Sequence, residues 1–197
     1  MTSKSMTNRQ LEIIEAAGKI LSTAGVGGLT IKNLSKEMKF SESAIYRHFK
    51  SKEDIVLALL DYLAENMNLR YSKVVKEELS AEENFKILFK SQFAFFAEHP
   101  HFIASVFSDG LMEESKRINE AILKIMMTKM KFLLPIIMTG QQRGEFTNEI
   151  TAEEMVNVIM GAMRLQMFKW RVGNFKFDIV RAGDNLIHTL LTLIRTK

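Results

Sequence analysis

The side chains best suited to chemistry lie close together between Ser41 and Lys52. On a helix from Glu42 to Phe49, a carboxylate, a hydroxyl, a phenol and a guanidinium would share one face, while Ile45 and Phe49 would point the other way. Hydroxyl, phenol and guanidinium groups donate hydrogen bonds to phosphates and base edges. This face therefore predicts a short helix that enters a DNA major groove.

Two further elements are needed to hold this helix. Ile31, Leu34 and Met38 recur at helical spacing after Thr30, whose hydroxyl is placed to cap the first turn. Ser41 is placed to cap the second helix in the same way. The few residues between the two helices then form the turn of a helix-turn-helix.

The same stretch resembles a known family. The run Thr30-x3-Leu34-Ser35-x5-Ser41-x2-Ala44-x-Tyr46-x-His48-Phe49-x2-Lys52-Glu53 is similar to the DNA-binding signature of TetR-type bacterial repressors. The Tyr-x-His-Phe-x-x-Lys-Glu core stands unaltered. The strong resemblance covers residues 10–60, and the rest of the chain is similar only in helical pattern and length.

Two positions depart from the family pattern. Ser35 stands where alanine is usual, and Met38-Lys39-Phe40 stands where the turn normally carries Ala-Gly-Val. Because the turn glycine is missing, we expect Lys39 to adopt a positive φ.

Side-chain reach suggests how bases would be read. Glu42 could accept from cytosine N4, Arg47 could donate to guanine, and the Ala44 methyl could meet a thymine methyl. A first-turn acid also favours the helix dipole, which explains Glu42 equally well without base reading. The resemblance implies phosphate contacts at four positions, namely Thr30, Tyr46, His48 and Lys52. The full predicted DNA-binding set is Thr30, Lys39, Ser41, Glu42, Ser43, Ala44, Tyr46, Arg47, His48 and Lys52.

Charge is distributed in a way that fits this assignment. The chain has 27 Lys and Arg against 23 Asp and Glu, a net charge of +4, and all of that excess falls within residues 1–53. Attraction to phosphate is the simplest reason, although chance clustering on a solvated face is an alternative. The chain has no cysteine, signal-peptide core or long apolar run, so we expect a soluble cytoplasmic protein without disulfides or a membrane segment.

Signals for an enzyme or a metal protein are weak. The four histidines fall in different predicted elements, and His99 and His101 flank a proline with no carboxylate at metal-ligand spacing. The Gly25–Gly28 run follows a helix rather than a strand and is not followed by Gly-Lys-Ser/Thr, so a helix C-cap explains it. We therefore predict no catalytic site, no metal and no cofactor.

Every periodic stretch after residue 53 is helical. The predicted fold is all-α, with an N-terminal three-helix helix-turn-helix domain over residues 1–53 and a C-terminal helical bundle over residues 54–197. A single helix-turn-helix contacts few base pairs, so we expect a homodimer on a pseudo-palindromic operator. Apolar stripes on the last two helices, which could also be internal core, predict the dimer interface: Met155, Ile159, Ala162, Gln166, Trp170, Leu186, Leu190 and Leu193.

The middle helices are rich in phenylalanine and methionine, with nine methionines between Met112 and Met167. Methionine adapts to varied apolar shapes, so this composition indicates either soft core packing or a pocket for an apolar molecule. The resemblance implies a pocket. Its predicted lining is Leu63, Met67, Phe93, Phe96, Ile103, Phe107, Met126, Met130, Met163, Arg164 and Met167. If Arg164 is buried it needs a partner, which could be a ligand carboxylate or equally Asp109 or Glu120.

We predict a ligand-responsive DNA-binding transcriptional regulator, a repressor that leaves its operator when a small apolar or amphipathic effector binds the C-terminal domain. The effector would favour a different tilt of the helix that starts at Glu53. One alternative is a regulator of the same fold with a closed core that responds to a protein partner. Another is a helical-bundle lipid carrier or enzyme, which leaves the basic charge of the first 53 residues unexplained.

Overall fold

The computed structural model describes residues 6–106 and 109–196, except for the side chains of residues 109 and 112. This part of the chain is helical, and its only strand-like pairing is the isolated bridge between Phe146 and Arg195. The all-α fold class is therefore confirmed. The helices are α1 (Asn8–Gly28), α2 (Ile31–Met38), α3 (Glu42–Tyr46), α4 (Lys52–Val74), α5 (Ala81–Glu98), α6 (His101–Val106), α7 (Asp109–Met112), α8 (Lys116–Gln142), α9 (Ala152–Val172) and α10 (Ile179–Ile194). Among these helices none is long and apolar enough to cross a membrane.

Contacts divide the described chain into two compact units. The head unit contains the residues up to Leu63 together with His101–Ile125, and the bundle unit contains Ala64–Pro100 together with the residues from Met126 onwards. The predicted domain division after residue 53 stays a prediction. The contacts instead assign the first half of α4 and all of α6 to the head.

The head unit has a core in which α1 packs directly on α6. A Cβ added at Gly18 would lie 3.0 Å from His101 Cδ2 and 3.2 Å from Phe102 Cδ1, so the two helices approach closely at this glycine. Ile13, Ile14 and Phe102 are completely buried. The core of the head unit, to which the DNA-binding helices belong, therefore includes α6, a segment from much later in the chain.

The bundle unit is closed by contacts between its early and late elements. The Arg195 guanidinium donates to both carboxylate oxygens of Glu82 at 2.8 and 2.6 Å. Hydrogen bonds from Arg195 and then from Lys86 lower the pKa of Glu82 to about 2. The carboxylate of Glu145 accepts from the backbone N–H groups of Ala81 and Glu82 at 3.2 and 3.0 Å, which caps the first turn of α5.

Candidate functional site

The helix-turn-helix forms where the capping residues predicted it. The Thr30 hydroxyl accepts from Asn33 N at 3.0 Å at the start of α2, and the Ser41 hydroxyl accepts from Ala44 N at 3.2 Å at the start of α3. Ile45 is completely buried, so α3 is fixed to the head core by its inner face.

The corner between the two helices is built on Lys39. This residue has φ 56° and ψ 42°, a left-handed conformation that lets its N–H and that of Phe40 bond back to the last turn of α2. The expected positive φ is thus confirmed. Because the Cβ of a lysine crowds this conformation, the corner is locally strained.

Replacing Lys39 with glycine should therefore stabilise the protein, by about 0.5–1 kcal/mol, because glycine adopts this conformation without steric cost. Thermal denaturation of Lys39→Gly against wild type measures the effect. Lys36→Gly is the matched control, since it puts glycine inside α2, where about 1 kcal/mol should be lost. A Lys39→Gly protein that melts below wild type would show that the lysine side chain stabilises the corner.

The outer face of α3 carries the predicted DNA-binding groups. Tyr46 is 50% exposed, and Ala44 is half-buried. The other exposed members of the predicted set are Thr30, Lys39, Ser41, Glu42, Ser43, Arg47 and His48. Eight of the ten predicted DNA-binding residues are therefore exposed, and the individual DNA contacts remain predictions.

Lys52, the last member of that set, is held within the head unit. Its ammonium lies 3.0 Å from Glu114 Oε2. The neighbouring Glu53 accepts from Ser115 Oγ at 2.6 Å and from Arg117 at 2.9 Å. The start of α4, which follows the recognition helix, is thus tied to the segment that begins α8. To contact a DNA phosphate, the Lys52 ammonium must either bind the phosphate and the Glu114 carboxylate together or leave Glu114 for the phosphate.

The predicted effector pocket is only partly supported by burial. Met67, Phe93, Phe96, Met163 and Met167 are all buried in the bundle unit, and Met130 is half-buried there. Leu63 and Ile103 are buried in the head unit, and Phe107 lies outside the described residues. Met126 and Arg164 are exposed. Because Arg164 is exposed on α9, burial gives no support to a role as a ligand anchor, and the pocket lining stays a prediction.

One charged group of the bundle unit that the sequence pattern did not reveal is Arg70 on α4, which is half-buried. Its guanidinium donates to Asn66 Oδ1 at 2.7 Å, to the carbonyl and hydroxyl oxygens of Ser91 at 2.8 and 3.0 Å, and to Gln92 Oε1 at 3.4 Å. Gln92 Oε1 also accepts from the Tyr71 hydroxyl at 2.6 Å. Tyr71 is completely buried, and this burial raises the pKa of its phenol. Because α4 contains a mixture of polar and apolar residues, its hydrophobic periodicity did not identify Arg70 as a residue of interest.

The head unit also has an open groove of about 490 Å³ between α4 and α8. Asp54, Asp61, Arg117, Glu120 and Lys124 line much of it, and Lys124 pairs with Asp61 at 2.6 Å. A surface of this polarity does not suit an apolar effector. Within residues 6–106 and 109–196, no group of three or more histidines and carboxylates is arranged to hold a metal ion.

Two family profiles match the chain and together cover nearly all of it. The profile of the bacterial regulatory proteins of the TetR family matches residues 13–59, and that of the YsiA-like C-terminal region matches residues 61–193. The chain belongs to the TetR family. As a TetR-family protein it is a ligand-responsive DNA-binding transcriptional regulator, which confirms the predicted function class.

Relatives of this TetR-family regulator extend over its whole length. A fatty acid metabolism regulator of Bacillus subtilis (strain 168) is 23% identical over 189 residues, which cover 96% of this chain and 97% of that protein. FadR from Bacillus subtilis, solved in complex with stearoyl-CoA, matches with a TM-score of 0.80 at 22% identity, over 92% and 97% of the two chains. The ketosteroid regulator KstR2 of Mycobacterium tuberculosis matches with 0.83 at 18% identity over the full length of both. At these identities the structural likenesses show a shared fold.

Proposed function

We propose that this TetR-family regulator represses transcription as a homodimer and leaves its operator when an amphipathic molecule with a long apolar chain binds the bundle unit. The observation that carries the proposal is the polar outer face of α3, fixed to the head by Ile45 and joined in one chain to a bundle with a phenylalanine- and methionine-rich interior. The class of effector is supported by the Bacillus subtilis relatives, one named for fatty acid metabolism and one solved with stearoyl-CoA.

Fluorescence anisotropy tests this proposal directly. Purified protein is titrated into labelled DNA from upstream of its own gene and into random DNA of the same length, at several salt concentrations. We expect saturable, competitor-resistant binding to the first DNA that weakens steeply with salt, because cations are released from the phosphates. Dodecanoyl-CoA and dodecanoate should then release the labelled DNA. Binding that no such ligand weakens would contradict effector control and would favour a regulator with a closed core.

Dimerisation is proposed through a face of α9 that the chain leaves uncovered. Val158, Leu165 and Val172 recur every seven residues and are 62%, 58% and 64% exposed. Gly161 lies on the same face, where an added Cβ would meet no atom of the chain within 4 Å. A second copy of this face could therefore pack closely against it.

This assignment corrects part of the predicted interface. Met155, Ile159, Trp170 and Leu190 are buried within the bundle unit, so they have almost no surface to offer a partner. They form the internal stripe of α9 and α10, as the alternative interpretation of those stripes allowed. Four residues of the predicted interface keep accessible surface, namely Ala162, Gln166, Leu186 and Leu193.

Leu165→Glu should convert the dimer to a monomer, because the dimer would have to bury an unpaired carboxylate at its centre. Sedimentation velocity measures the oligomeric state. Leu123→Glu is the matched control, since Leu123 is 56% exposed on α8 and belongs to the head unit rather than to α9. A Leu165→Glu protein that sediments like wild type would refute the assigned interface.

A further inference from the structure

The first turn of α4 is joined by polar contacts to the chain segment between α7 and α8. The Lys52 ammonium lies 3.0 Å from Glu114 Oε2. The next residue on each side continues the contact, since Ser115 Oγ donates to Glu53 Oε1 at 2.6 Å. Lys52 also comes directly after the helix-turn-helix, because only residues 47–51 separate it from the end of α3. An acidic group from a distant part of the sequence therefore lies beside a cation that follows the recognition helix.

Glu114 is held in place by hydrogen bonds on either side along the chain. Its own N–H donates to the carbonyl oxygen of Leu111 at 3.2 Å. The hydroxyl of the next residue, Ser115, accepts from Ile118 N at 3.3 Å, as a capping residue at the start of α8 would. The Glu114 carboxylate is thus presented to Lys52 by a backbone that is hydrogen-bonded before and after it.

Arg117 stabilises the other two acidic groups in this part of the head unit. Its guanidinium donates to Glu53 at 2.9 Å and lies 3.8 Å from Asp54 Oδ1. Glu53 and Asp54 also stand in the first turn of α4, where the helix dipole favours acidic side chains. Both carboxylates are therefore stabilised without Lys52, and the Lys52 ammonium pairs with Glu114 instead.

The ion pair between Lys52 and Glu114 is open enough to solvent for a phosphate to reach it. The two side chains are 31% and 34% exposed. Ion pairs at such positions are weak in water, so a phosphate can take the place of the carboxylate. The displaced carboxylate then lies in solvent without its cation. A phosphate contact by Lys52 thus has a cost that a lysine without an acidic partner would not have.

We propose that Glu114 competes with DNA phosphate for Lys52 and so lowers the affinity of the head unit for DNA. This inference rests on the proposed function, in which the head unit binds an operator, and on the predicted phosphate contact of Lys52. When the ammonium passes to a phosphate, the DNA releases one condensed cation, and the freed carboxylate takes one up from solution. The exchange therefore adds almost nothing to the salt dependence of DNA binding.

Glu114→Gln tests the inference, because it removes the charge and keeps the size of the side chain. Binding to labelled operator and to random DNA of the same length is measured by fluorescence anisotropy at salt concentrations from about 50 to 200 mM. At the lowest salt the variant should bind both DNAs about 2- to 5-fold more tightly than wild type, the range expected from one exposed ion pair. The gain should be equal for both DNAs because a phosphate contact carries no sequence information.

The salt dependence is the decisive measurement. In the variant, the plot of log K against log salt concentration should be steeper by about one unit, because the Lys52 contact now releases a cation with no uptake elsewhere. Glu113→Gln is the matched control, since it removes the same charge from the neighbouring exposed residue and should leave the slope unchanged. Lys52→Met combined with Glu114→Gln should bind no more tightly than Lys52→Met alone, because competition requires the ammonium.

Circular dichroism must show that each variant is folded. An unchanged slope in Glu114→Gln, an equal change in Glu113→Gln, or a gain that persists without Lys52 would overturn the inference. In each of these cases, operator binding by wild type would leave the proposed function intact. If wild type binds neither DNA even at the lowest salt, the operator binding in the proposed function is itself wrong.

Discussion

Replacing Tyr46 with alanine should weaken operator binding by about 100-fold, near the upper end of the 1–3 kcal/mol expected for one side chain at a protein–DNA interface. Tyr46 is half exposed at the end of α3, next to the buried Ile45 that fixes the helix. The variant removes a hydroxyl that can donate to a phosphate and a ring that shapes the exposed face. Because the hydroxyl is uncharged, the dependence of affinity on salt should change little.

The measurement is fluorescence anisotropy with operator and with random DNA. Tyr46→Phe separates the hydroxyl from the ring, and it should lose about 10-fold if a single phosphate hydrogen bond is removed. Leu69→Ala is a control, because Leu69 is 60% exposed and belongs to the bundle unit rather than to the helix-turn-helix. Far-UV circular dichroism must show that each variant is folded. A folded Tyr46→Ala protein that binds as tightly as wild type would remove Tyr46 from the interface.

Gly183→Ala should lower the free energy of unfolding by about 1–3 kcal/mol, the usual cost of inserting atoms into a packed core. A Cβ at this position of α10 would lie 2.5 Å from Phe93 Cγ and 2.7 Å from Phe93 Cε2. The Phe93 ring is 1% exposed and has little room to move, so α5 and α10 must separate. In a solvent-exposed helix the same change would instead stabilise by about 1 kcal/mol.

Urea denaturation measures this effect as a shift of the midpoint at constant slope. Gly27→Ala in α1 is the matched control, because Gly27 is exposed and an added Cβ there meets no neighbouring atom within 4 Å. Phe93→Leu in the Gly183→Ala background should restore part of the lost stability, since the smaller side chain leaves space for the methyl group. If Gly183→Ala unfolds at or above the wild-type midpoint, the packing of α5 on α10 is looser than described.

The helix-turn-helix could be predicted in detail because its determinants are local. Thr30 and Ser41 each accept a hydrogen bond from a backbone N–H three residues later, as their positions predicted. The strain at Lys39 followed from one missing glycine. Such features depend on neighbouring residues, so periodicity and capping rules were sufficient.

The errors in the predicted interface have a common cause in α9. This helix has apolar residues on two faces, and periodicity alone cannot say which face is internal. Met163 and Met167 are in the core, whereas Leu165 and Val172 are exposed. The packing of α9 on α10 helps to decide which of the two apolar faces is internal, and the periodicity of α9 alone does not contain this contact. The exposure of Arg164 follows from the same rotation of the helix.

The hydrogen-bonded group around Arg70 could not be predicted from periodicity. Arg70 and Gln92 come from two different helices, and each looks like an ordinary surface residue within its own segment. Their proximity depends on how α4 and α5 meet in the bundle unit. Polar groups assembled from distant segments are therefore the feature that needed the structure.

The packing of α1 on α6 has a consequence for the synthesis of the protein. When the ribosome has released the residues up to Leu63, Gly18 and Ile14 still lack the helix that will cover them, because residues 64–100 are made before α6. Chains are extended at about 5–20 residues per second, so the DNA-reading part stays incomplete for several seconds after its own helices emerge. The core beneath the recognition helix is thus completed only after the segments that follow this helix have been made.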